Sequence, residues 1–545
     1  MSIFNLIIFL AVFIILIIPA GKYISKLILH EKTIFDRVFN PVDNFIYKTF
    51  GCKCENQSFK EYISAFLLSN LVMFIFTWIL LVIGNPDFSI SLGFNTAISF
   101  ITNTNLQHYS GEWLNSFISR TALINLMFTS SATGLAVCFA IIRGVLGIKQ
   151  NNFFADLVRI VTRILLPFSI IAAIILVAFG VPQTFKSQLI VETLEGKYQI
   201  LALGPAGAWE AIKHLGTNGG GLFSANSAHP FENPNIYTNY IEMMCMMIIP
   251  GGIITGFGYA AKNIKQGWYV FASLFILFIF SLIMILHFES LSIPLLKSLG
   301  ISGINMEGKE VRFGLVASGL FTNITTSFTT GSVNNMHDSL TPIGGMMALW
   351  NMCLNNIFGG EGVGFINVIM YMILSVFLCG LMVGRTPEFL GKKIEGKEMK
   401  IITFLVLLHP LIILVPSAVS IITKSGLAGI TNSGFHGISQ VLYEYASSAA
   451  NNGSGFEGLS DSSNYWNIFT GIVMFLGRYV SMILMLCVAA SLMKKQAVPQ
   501  SISTFKTDNF IFTIILFLII VIIGALTFLP AFALGPVAEY LTIWR

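Results

Sequence analysis

Long apolar runs, more than any single motif, limit what this chain can fold into. A helix needs about 20 residues to cross a hydrocarbon core of ~30 Å. Only 10% of the residues are charged, against about 25% in soluble domains. We therefore predict an all-α polytopic membrane protein. Its ten candidate spans are roughly 3–21, 61–84, 120–142, 164–181, 236–260, 268–287, 345–383, 401–423, 466–492 and 509–532.

Positive charge is unevenly distributed over the connections between these spans. Lysine and arginine concentrate in every second connection, beginning with the long loop from Lys22 to Lys60. Because cytoplasmic loops of membrane proteins carry such an excess, we expect these connections in the cytoplasm and both termini outside. The basic cytoplasmic loops explain the net charge of +5 without a nucleic-acid partner. We therefore expect the chain to contact membrane lipid and no nucleic acid.

The remaining connections are rich in glycine, and each contains a helix-like stretch followed by a loop of small polar residues. Positions 103, 218, 330 and 452 recur at similar intervals, which indicates an internal repeat, whereas unrelated turns are the alternative. Repeats in transporters place the binding site where they meet. The loops are Thr102-Asn103-Thr104-Asn105, Thr217-Asn218-Gly219-Gly220-Gly221, Thr329-Thr330-Gly331-Ser332-Val333 and Ala450-Asn451-Asn452-Gly453-Ser454.

This repeat predicts six segments along the chain. Four of them are units of span, short helix, loop and span, and the other two add one span at each end. The segments are 1–60 (first span and cytoplasmic loop), 61–163, 164–267, 268–400 (with a broken second helix), 401–508 and 509–545 (last span).

The four loops are suited to a weakly hydrated monovalent cation. Irregular backbone survives at membrane depth only inside protein or along a wet cavity, and a ring of carbonyl groups can replace the water around an alkali ion. Four converging helix C-termini add negative potential, and the loops lack the carboxylates that divalent ions prefer. We expect K+ as the ion and no other cofactor. The candidate ligands are Thr102, Asn103, Thr104, Asn105, Thr217, Asn218, Gly219, Gly220, Thr329, Thr330, Gly331, Asn451, Asn452 and Gly453.

Polar residues follow each loop and allow two interpretations. They form an outer vestibule that attracts cations, or a solvated rim that holds the loops in place. A metal or proton-relay pair at His337-Asp338 is the weaker idea, because no third ligand lies nearby in sequence. The residues are Gln107, Glu112, Asn226, His229, Glu232, Asn334, His337, Asp338, Glu457 and Asp461.

Two further features lie within the predicted spans. The segment 345–383 is too long for one straight span, and Gly359, Gly360, Glu361 and Gly362 interrupt it. A break there forms either a movable gate or a turn to a surface helix. Arg478 lies near the middle of its span, where an arginine is costly and faces an aqueous path or a partner. It either hinders cations below the fourth loop or belongs to a structural ion pair.

Several long motifs resemble the KdpA family, the potassium-binding subunits of bacterial Kdp potassium-transporting ATPases, over essentially the whole chain. The motifs are 102–112, 217–221 with 225–234, 336–339, 384–388 with 390–394, and 449–454. The resemblance implies a potassium-channel-like fold of four membrane–pore–membrane repeats in the bacterial plasma membrane. It also implies the partners KdpB (a P-type ATPase subunit), KdpC and KdpF.

The same resemblance implies roles for individual positions. The four loops correspond to the selectivity filter, and Gln107 to a position at the filter mouth. Arg478 corresponds to an arginine below the filter, and the break after Phe358 to a gating loop. The sequence departs from four-fold regularity because its first loop has Asn105 in place of glycine and only its second has a glycine triplet.

The sequence leaves two alternative functions to consider. The first is a stand-alone potassium channel or symporter of the Trk/Ktr type, which shares the repeat. The second is an intramembrane enzyme, which would need converging metal ligands from His229, Glu232, His337 and Asp338. The chain has neither a G-x-x-x-x-G-K-[ST] loop nor an Asp-Lys-Thr-Gly motif. We therefore expect a subunit of a K+-transporting ATPase that does not hydrolyse ATP itself.

Overall fold

The computed structural model describes residues 1–52, 54–114, 116–300, 303–382, 384, 386–496 and 505–544. Within these ranges, ten helices are long and apolar enough to cross a membrane, which confirms the predicted all-α polytopic fold. Arg385, part of one motif of the family resemblance, lies outside the described residues. The ten helices are Ile3–Ile28, Phe59–Gly84, Phe117–Leu146, Phe153–Ala178, Ile236–Ala260, Ile264–Ser290, Val363–Met382, Gly396–Ser420, Asn464–Met493 and Phe510–Ile543.

Four short helices precede the four loops. Short helix 1 begins at Ile90, where Ser89 caps its N-terminus by accepting a hydrogen bond from the Leu92 N–H at 3.1 Å. All four helices lead into their loops as predicted, with Gly216 and Phe328 as single intervening residues in the second and third. Short helices 1 to 4 are Ile90–Ile101, Ala206–Leu215, Gly314–Ser327 and Phe435–Ala450.

The remaining elements lie in the connections. Two antiparallel hairpins were not predicted, because their strands are short and the first hairpin is largely exposed. The strands pair Gln188–Glu192 with Tyr198–Ala202, and Glu388–Phe389 with Lys392–Lys393. The other helices are Asp36–Thr49, Pro294–Ser298, Pro342–Leu354 and Lys424–Leu427, with 3-10 turns at Gly111–Trp113, Asn226–Ala228 and His337–Ser339.

The long segment 345–383 is broken, as its length predicted. Pro342–Leu354 and Val363–Met382 are separate helices joined by residues 355–362. Four positions of this connection have positive φ angles: Asn355, Phe358, Gly359 and Gly362. Both flanking helices are largely buried, which argues against a turn to a surface helix. We call residues 355–362 the break loop.

The spans divide into an inner and an outer set. In Phe117–Leu146 and Ile236–Ala260, 78% of the residues in the apolar stretch are buried, against 22% in Ile3–Ile28 and Phe59–Gly84. Small residues bring the first span against Ile236–Ala260, since a Cβ on Gly256 would lie 3.1 Å from the Gly21 carbonyl oxygen. The inner set surrounds the four loops.

A buried ion pair fastens the end of span Phe117–Leu146 to the start of Phe153–Ala178. The Arg143 guanidinium pairs with the Asp156 carboxylate, and both side chains are almost fully buried. Tyr62 adds a third span by donating its hydroxyl to Asp156 at 3.0 Å, and Gln150 accepts from Arg143 Nε at 3.0 Å. The charges are compensated on several sides, as burial requires.

Candidate functional site

The backbones of the four loops repeat one conformation. Each loop has a residue in the left-handed region, then one ordinary residue, then a second left-handed residue. The first left-handed positions are Asn103, Thr217, Thr329 and Asn451, with φ of 59°, 45°, 41° and 55°. The second are Asn105, Gly219, Gly331 and Gly453, with φ of 53°, 89°, 89° and 105°. Such angles are uncommon outside glycine, so their four-fold recurrence identifies equivalent positions.

The residue between these two positions is tied back to its short helix in every repeat. Its N–H donates to a carbonyl five residues earlier, which closes the loop on the last helical turn. The bonds are Thr104 to Ser99 at 2.9 Å, Asn218 to Lys213 at 2.8 Å, Thr330 to Thr325 at 2.8 Å, and Asn452 to Ser447 at 2.9 Å.

This pattern corrects the register of the first repeat. Spacing along the sequence matches Asn103 with Asn218, Thr330 and Asn452, but the residue that corresponds to them in the structure is Thr104. The asparagine side chain misled the alignment, because Asn103 occupies the left-handed position that Thr217 and Thr329 fill elsewhere. Asparagine tolerates this conformation better than most residues.

The four loops meet side by side. A Cβ on Gly219 would collide with the carbonyl oxygen of Thr330, one on Gly331 with that of Asn452, and one on Gly453 with that of Thr104. The contacts therefore run from loop 2 to loop 3, to loop 4 and on to loop 1. Only glycine fits at such a close approach of backbones.

Loop 1 has Asn105 at the position where the other loops have glycine. The Asn105 Cβ lies against Gly220, where an added Cβ would be only 2.9 Å away. The second glycine of the triplet in loop 2 thus leaves space for the side chain that loop 1 carries. The two departures from four-fold regularity noted in the sequence compensate each other.

Four equivalent carbonyl oxygens remain without donors. The carbonyls of Thr104, Asn218, Thr330 and Asn452 accept no hydrogen bond from the residues that the structure describes, although all four residues are fully buried. More than 90% of buried carbonyls are paired. By contrast, Gly219 O accepts from Asn226 Nδ2 at 2.8 Å and Gly220 O from Trp209 Nε1 at 2.6 Å.

Loop side chains point away from these carbonyls and anchor the loops from behind. Asn103 donates to Gly216 O at 3.1 Å and Thr217 O at 3.0 Å, and its Oδ1 accepts from Ser130 at 2.8 Å and Ser131 at 2.9 Å. The two serines were not among the predicted site residues, because Thr129 and Thr133 beside them on the same span are also polar and nothing local singles the pair out.

A buried charge cluster supports loop 2 and was also missed. Lys213 Nζ lies 2.8 Å from Glu210 and also pairs with Glu232, and all three side chains are buried. His214 Nε2 lies 2.9 Å from Ser332 Oγ, which connects short helix 2 to loop 3. The signal was Glu210 and Lys213, one turn apart on a helix at membrane depth.

Gln107 joins loops 1 and 2 at one end of the site. Its Nε2 donates to Gly221 O at 3.0 Å, and its Oε1 accepts from the Gly221 N–H at 2.8 Å. It lines a cavity of about 390 Å³ that also contacts Asn105, Gly331 and Gly453. We call this cavity the vestibule.

The polar residues after the loops divide into two groups by position. Gln107, Asn226, Glu457 and Asp461 line the vestibule. Others act as anchors, such as Glu232 in its ion pair with Lys213.

His337 and Asp338 do not form a joint metal or proton-relay site. His337 Nδ1 bonds to the Tyr443 hydroxyl at 2.8 Å. Asp338 lies 3.0 Å from His436 Nε2, and Glu539 lies 2.8 Å from His436 Nδ1. Burial alone would lower the pKa of His436, but the two carboxylates raise it to about 10.

The break loop lies against the opposite end of the site from the vestibule. The Glu361 N–H donates to Thr217 Oγ1 at 3.0 Å, and the Gly359 N–H donates to Ser327 O at 2.9 Å. A Cβ on Gly360 would lie 2.5 Å from Thr329 Oγ1. The predicted gate residues therefore touch the starts of loops 2 and 3.

Phe358 anchors the break loop in an aromatic cluster. It stacks on Phe328, the residue directly after short helix 3, with ring centroids 4.5 Å apart and planes 7° apart. Phe13, Phe271 and Phe278 contact it edge-on. This packing holds the loop in place beneath the site.

Arg478 and Glu361 both approach Gly134. A Cβ there would lie 2.7 Å from Arg478 Nη2 and 2.6 Å from the Glu361 carbonyl oxygen. Arg478 donates to Ser130 O at 3.2 Å from a π-helical turn, Leu476–Val480, a feature often found at functional sites. Among the described residues, no salt bridge within 4.0 Å joins Arg478 to a carboxylate, but the buried Glu361 carboxylate interacts with it electrostatically, so the interpretation as a structural ion pair stays a prediction.

The residues proposed for an intramembrane enzyme do not converge. His229 stacks on Phe223 at 4.3 Å, Glu232 pairs with Lys213, and His337 and Asp338 have the separate partners given above. Within the described part of the chain, two other groups have metal-ligand spacing: His108 with Glu444 and Asp461, and Glu210 with His214 and Glu242.

Known proteins resemble this chain along almost its whole length. The family described as "KdpA: Potassium-transporting ATPase A subunit" matches residues 7–541. A "Potassium-transporting ATPase potassium-binding subunit" of Geobacillus kaustophilus is 54% identical, covering 97% of each chain. A protein of Clostridium acetobutylicum with the same name is 53% identical over all of both chains.

One solved structure shares the fold. The potassium transporter TrkH from Vibrio parahaemolyticus superposes with a TM-score of 0.51 at 15% sequence identity, covering 88% of this chain and 97% of that one. At this identity the likeness concerns the fold alone.

Proposed function

Because this chain belongs to the KdpA family of potassium-transporting ATPase A subunits, we propose that it binds K+ at its four loops and delivers the ion to an ATP-hydrolysing partner. Membership of this family makes the chain a subunit of a potassium-transporting ATPase. The ion site, its ligands and the route of delivery are the proposal.

One observation carries the ion site: the carbonyls of Thr104, Asn218, Thr330 and Asn452 are equivalent, buried and without donors. An unpaired buried carbonyl is costly, and four of them at adjacent loops form a ring of partial negative charge. Potassium binds to such rings, where carbonyl oxygens replace its water. The remaining candidate ligands come just before and just after these four residues in the sequence.

The surroundings favour a monovalent ion. Four short helices end at the loops, and each C-terminus contributes about half a negative charge. No carboxylate belongs to the loops themselves, and divalent ions prefer carboxylate ligands. The vestibule, with Glu457 and Asp461 in its wall, raises the local concentration of cations at the entrance.

Contacts at the end of the site opposite the vestibule support the proposal of a closed gate. The break loop contacts Thr217 and Thr329, and Arg478 places a fixed positive charge nearby. A cation that passes the ring meets both obstacles before any straight exit. We infer that K+ turns sideways at this level and leaves toward the partner subunit.

The proposed setting is the bacterial plasma membrane, with both termini outside. The partners expected for the family are KdpB, which would hydrolyse ATP, together with KdpC and KdpF. This chain supplies selectivity, and the energy for uptake comes from KdpB.

A stand-alone K+ channel or symporter of the Trk/Ktr type is the second candidate, favoured by the fold shared with TrkH. Liposomes that contain this chain alone distinguish the two functions. A K+ flux without ATP or partners supports the second candidate, whereas no flux until the ATPase subunit is added supports the first.

The main test measures K+-stimulated ATPase activity of the chain purified with its co-encoded partners. Gly219→Asp places a side chain against the Thr330 carbonyl and a charge beside the ring, so we expect K+ stimulation to be lost. Gly396→Asp is the control, since a Cβ at Gly396 has open space around it. Equal K+ stimulation in both variants contradicts the ion site.

A further inference from the structure

Three side chains from separate parts of the chain meet beside the vestibule, and two of them, His108 and Asp461, line it. His108 follows loop 1, Glu444 belongs to short helix 4, and Asp461 lies beyond loop 4. We propose that these residues form a site for a divalent transition metal ion of the zinc type, outside the four loops. The site is separate from the K+ ring, which contains no carboxylate.

The spacing of the three residues suits a metal centre. His108 Nε2 lies 3.3 Å from Glu444 Oε1 and 3.7 Å from Asp461 Oδ2. Zinc bonds to nitrogen and oxygen ligands at about 2.0–2.2 Å with tetrahedral angles, which puts neighbouring ligand atoms roughly 3.4 Å apart. The two distances from the imidazole are therefore near those that one zinc ion would impose, and all three ligand atoms lie within 4.8 Å of one another.

The orientation of the imidazole also fits. His108 Nδ1 lies 2.7 Å from Asn467 Oδ1, and the Asn467 amide nitrogen donates to Ser91 Oγ at 3.3 Å. The amide oxygen can only accept, so Nδ1 carries the hydrogen and Nε2 faces the two carboxylates. Metal-binding histidines are oriented by such a hydrogen bond from their other nitrogen.

A buried, unpaired oxygen points independently to a missing ligand. Glu444 is 1% exposed, and its Oε2 has no hydrogen-bond partner among the described residues. Leaving such an oxygen unsatisfied is costly. A water molecule in the open fourth position of a metal held by Glu444 Oε1 would donate a hydrogen bond to this oxygen, and the ion would balance two acidic groups directed at one imidazole.

The ion can reach the site from solvent. His108 and Asp461 line the vestibule, and the Asp461 side chain is 25% exposed. Three protein ligands leave one tetrahedral position for water from the cavity.

The ligand set selects the class of metal. Magnesium and calcium prefer oxygen ligands alone, whereas an imidazole with two carboxylates suits zinc and its neighbours among the first-row metals. A dication in the vestibule wall, one residue from Gln107, would also repel cations approaching the loops. This effect on transport depends on the proposed function, but metal binding does not.

The test titrates Zn²⁺ into the purified full-length chain after removal of metals with a chelator, and measures affinity by competition with a chromophoric zinc indicator. We expect one tight site per chain. His108→Gln and Asp461→Asn each remove a ligand, and since loss of a supporting group alone costs ~10–100-fold in affinity, we expect at least this loss. The control is His287→Gln, which alters an exposed histidine on another span.

Two results would overturn the proposal: no saturable Zn²⁺ site in the wild-type chain, or equal affinity in Asp461→Asn and wild type. Asp461 is partly exposed, so its variant keeps the test valid even where His108→Gln does not fold. In the complex, we expect Zn²⁺ to inhibit K+-stimulated ATPase activity of the wild type and to inhibit Asp461→Asn far less. If the chain binds Zn²⁺ at this site but K+ does not stimulate the ATPase activity of the complex, the result contradicts the proposed function and still supports the metal site.

Discussion

The backbone N–H of Glu361 donates a 3.0 Å hydrogen bond to the side-chain hydroxyl of Thr217. This bond connects the interrupted helix directly to the first residue of loop 2. A residue at the start of a proposed ion-binding loop thus also holds the segment that we propose closes the path below it. This hydrogen bond joins the proposed gate to the proposed filter, beside the contact of Gly360 with Thr329.

Thr217→Val keeps the shape of the side chain and removes the acceptor. The buried Glu361 N–H then loses its partner, which costs about 1–3 kcal/mol, and we expect the break loop to loosen. The expected result is ATP-independent K+ leak in liposomes that contain the complex. Thr217→Ser retains the hydroxyl and serves as the control; a leak of the same size in both variants contradicts this role.

Because the Asn105 side chain occupies the space that Gly220 leaves, we expect the effects of substitutions at these two positions to be non-additive. Gly220→Ala places a Cβ 2.9 Å from the Asn105 Cβ, so we expect weaker K+ stimulation of the ATPase. Asn105→Gly removes that side chain, and glycine accepts the left-handed φ at this position. The double variant should therefore recover much of the loss. Additive losses in the double variant would show that the two residues act separately.

Arg478→Gln removes the positive charge near the break loop. If that charge hinders cations, the variant should show K+ leak without ATP while its ATPase activity becomes poorly coupled to uptake. Lys424→Gln, a change at an exposed lysine, is the matched control. Unchanged coupling and no leak in Arg478→Gln would assign the arginine a purely structural role.

His436 predicts a pH dependence of stability. Its pKa is raised from 6.5 to about 10 by Asp338 and Glu539, so the folded state holds the proton more tightly than the unfolded state. The contribution is complete below pH 6.5 and is lost as the pH rises through about 10. Thermal unfolding of the purified chain should show this decline, and His436→Gln should flatten it. An identical pH profile in the variant contradicts the assignment.

Asp156→Asn leaves the buried Arg143 without its counter-charge. Breaking a buried ion pair on one side costs about 3–5 kcal/mol, so we expect a clear loss of thermal stability in detergent. The exposed substitution Asp87→Asn should have little effect. Replacing both partners by apolar residues should restore much of the loss; a double variant as unstable as Asp156→Asn would contradict this explanation.

Much of the fold could be predicted from the sequence because the bilayer requires long apolar helices. Nine of the ten predicted spans each overlap one apolar helix, although Phe153–Ala178 begins 11 residues earlier and Phe510–Ile543 ends 11 residues later than predicted. The excess length of 345–383 indicated the break before Val363. The exposed hairpin Gln188–Ala202 had no such constraint, and the start of short helix 1 depended on a single capping hydrogen bond at Ser89.

The candidate site was predictable in position and less so in detail. Small polar residues between apolar spans indicated all four loops. The register of loop 1 depended on which residue takes a left-handed φ, and a side chain alone does not reveal that Asn103 does so. The supporting contacts of Ser130 and Lys213 join residues far apart in sequence, so local patterns could not show them. The identity of the bound ion stays a prediction.

All four loops belong to one polypeptide, and loop 1 already differs from the others at Asn105. In a pore built from four identical subunits, every substitution appears four times and alters the whole ring at once. Here each quadrant is encoded separately, so a mutation changes one side of the ring and leaves three intact. Selection can therefore adjust ion affinity in small increments, one quarter at a time.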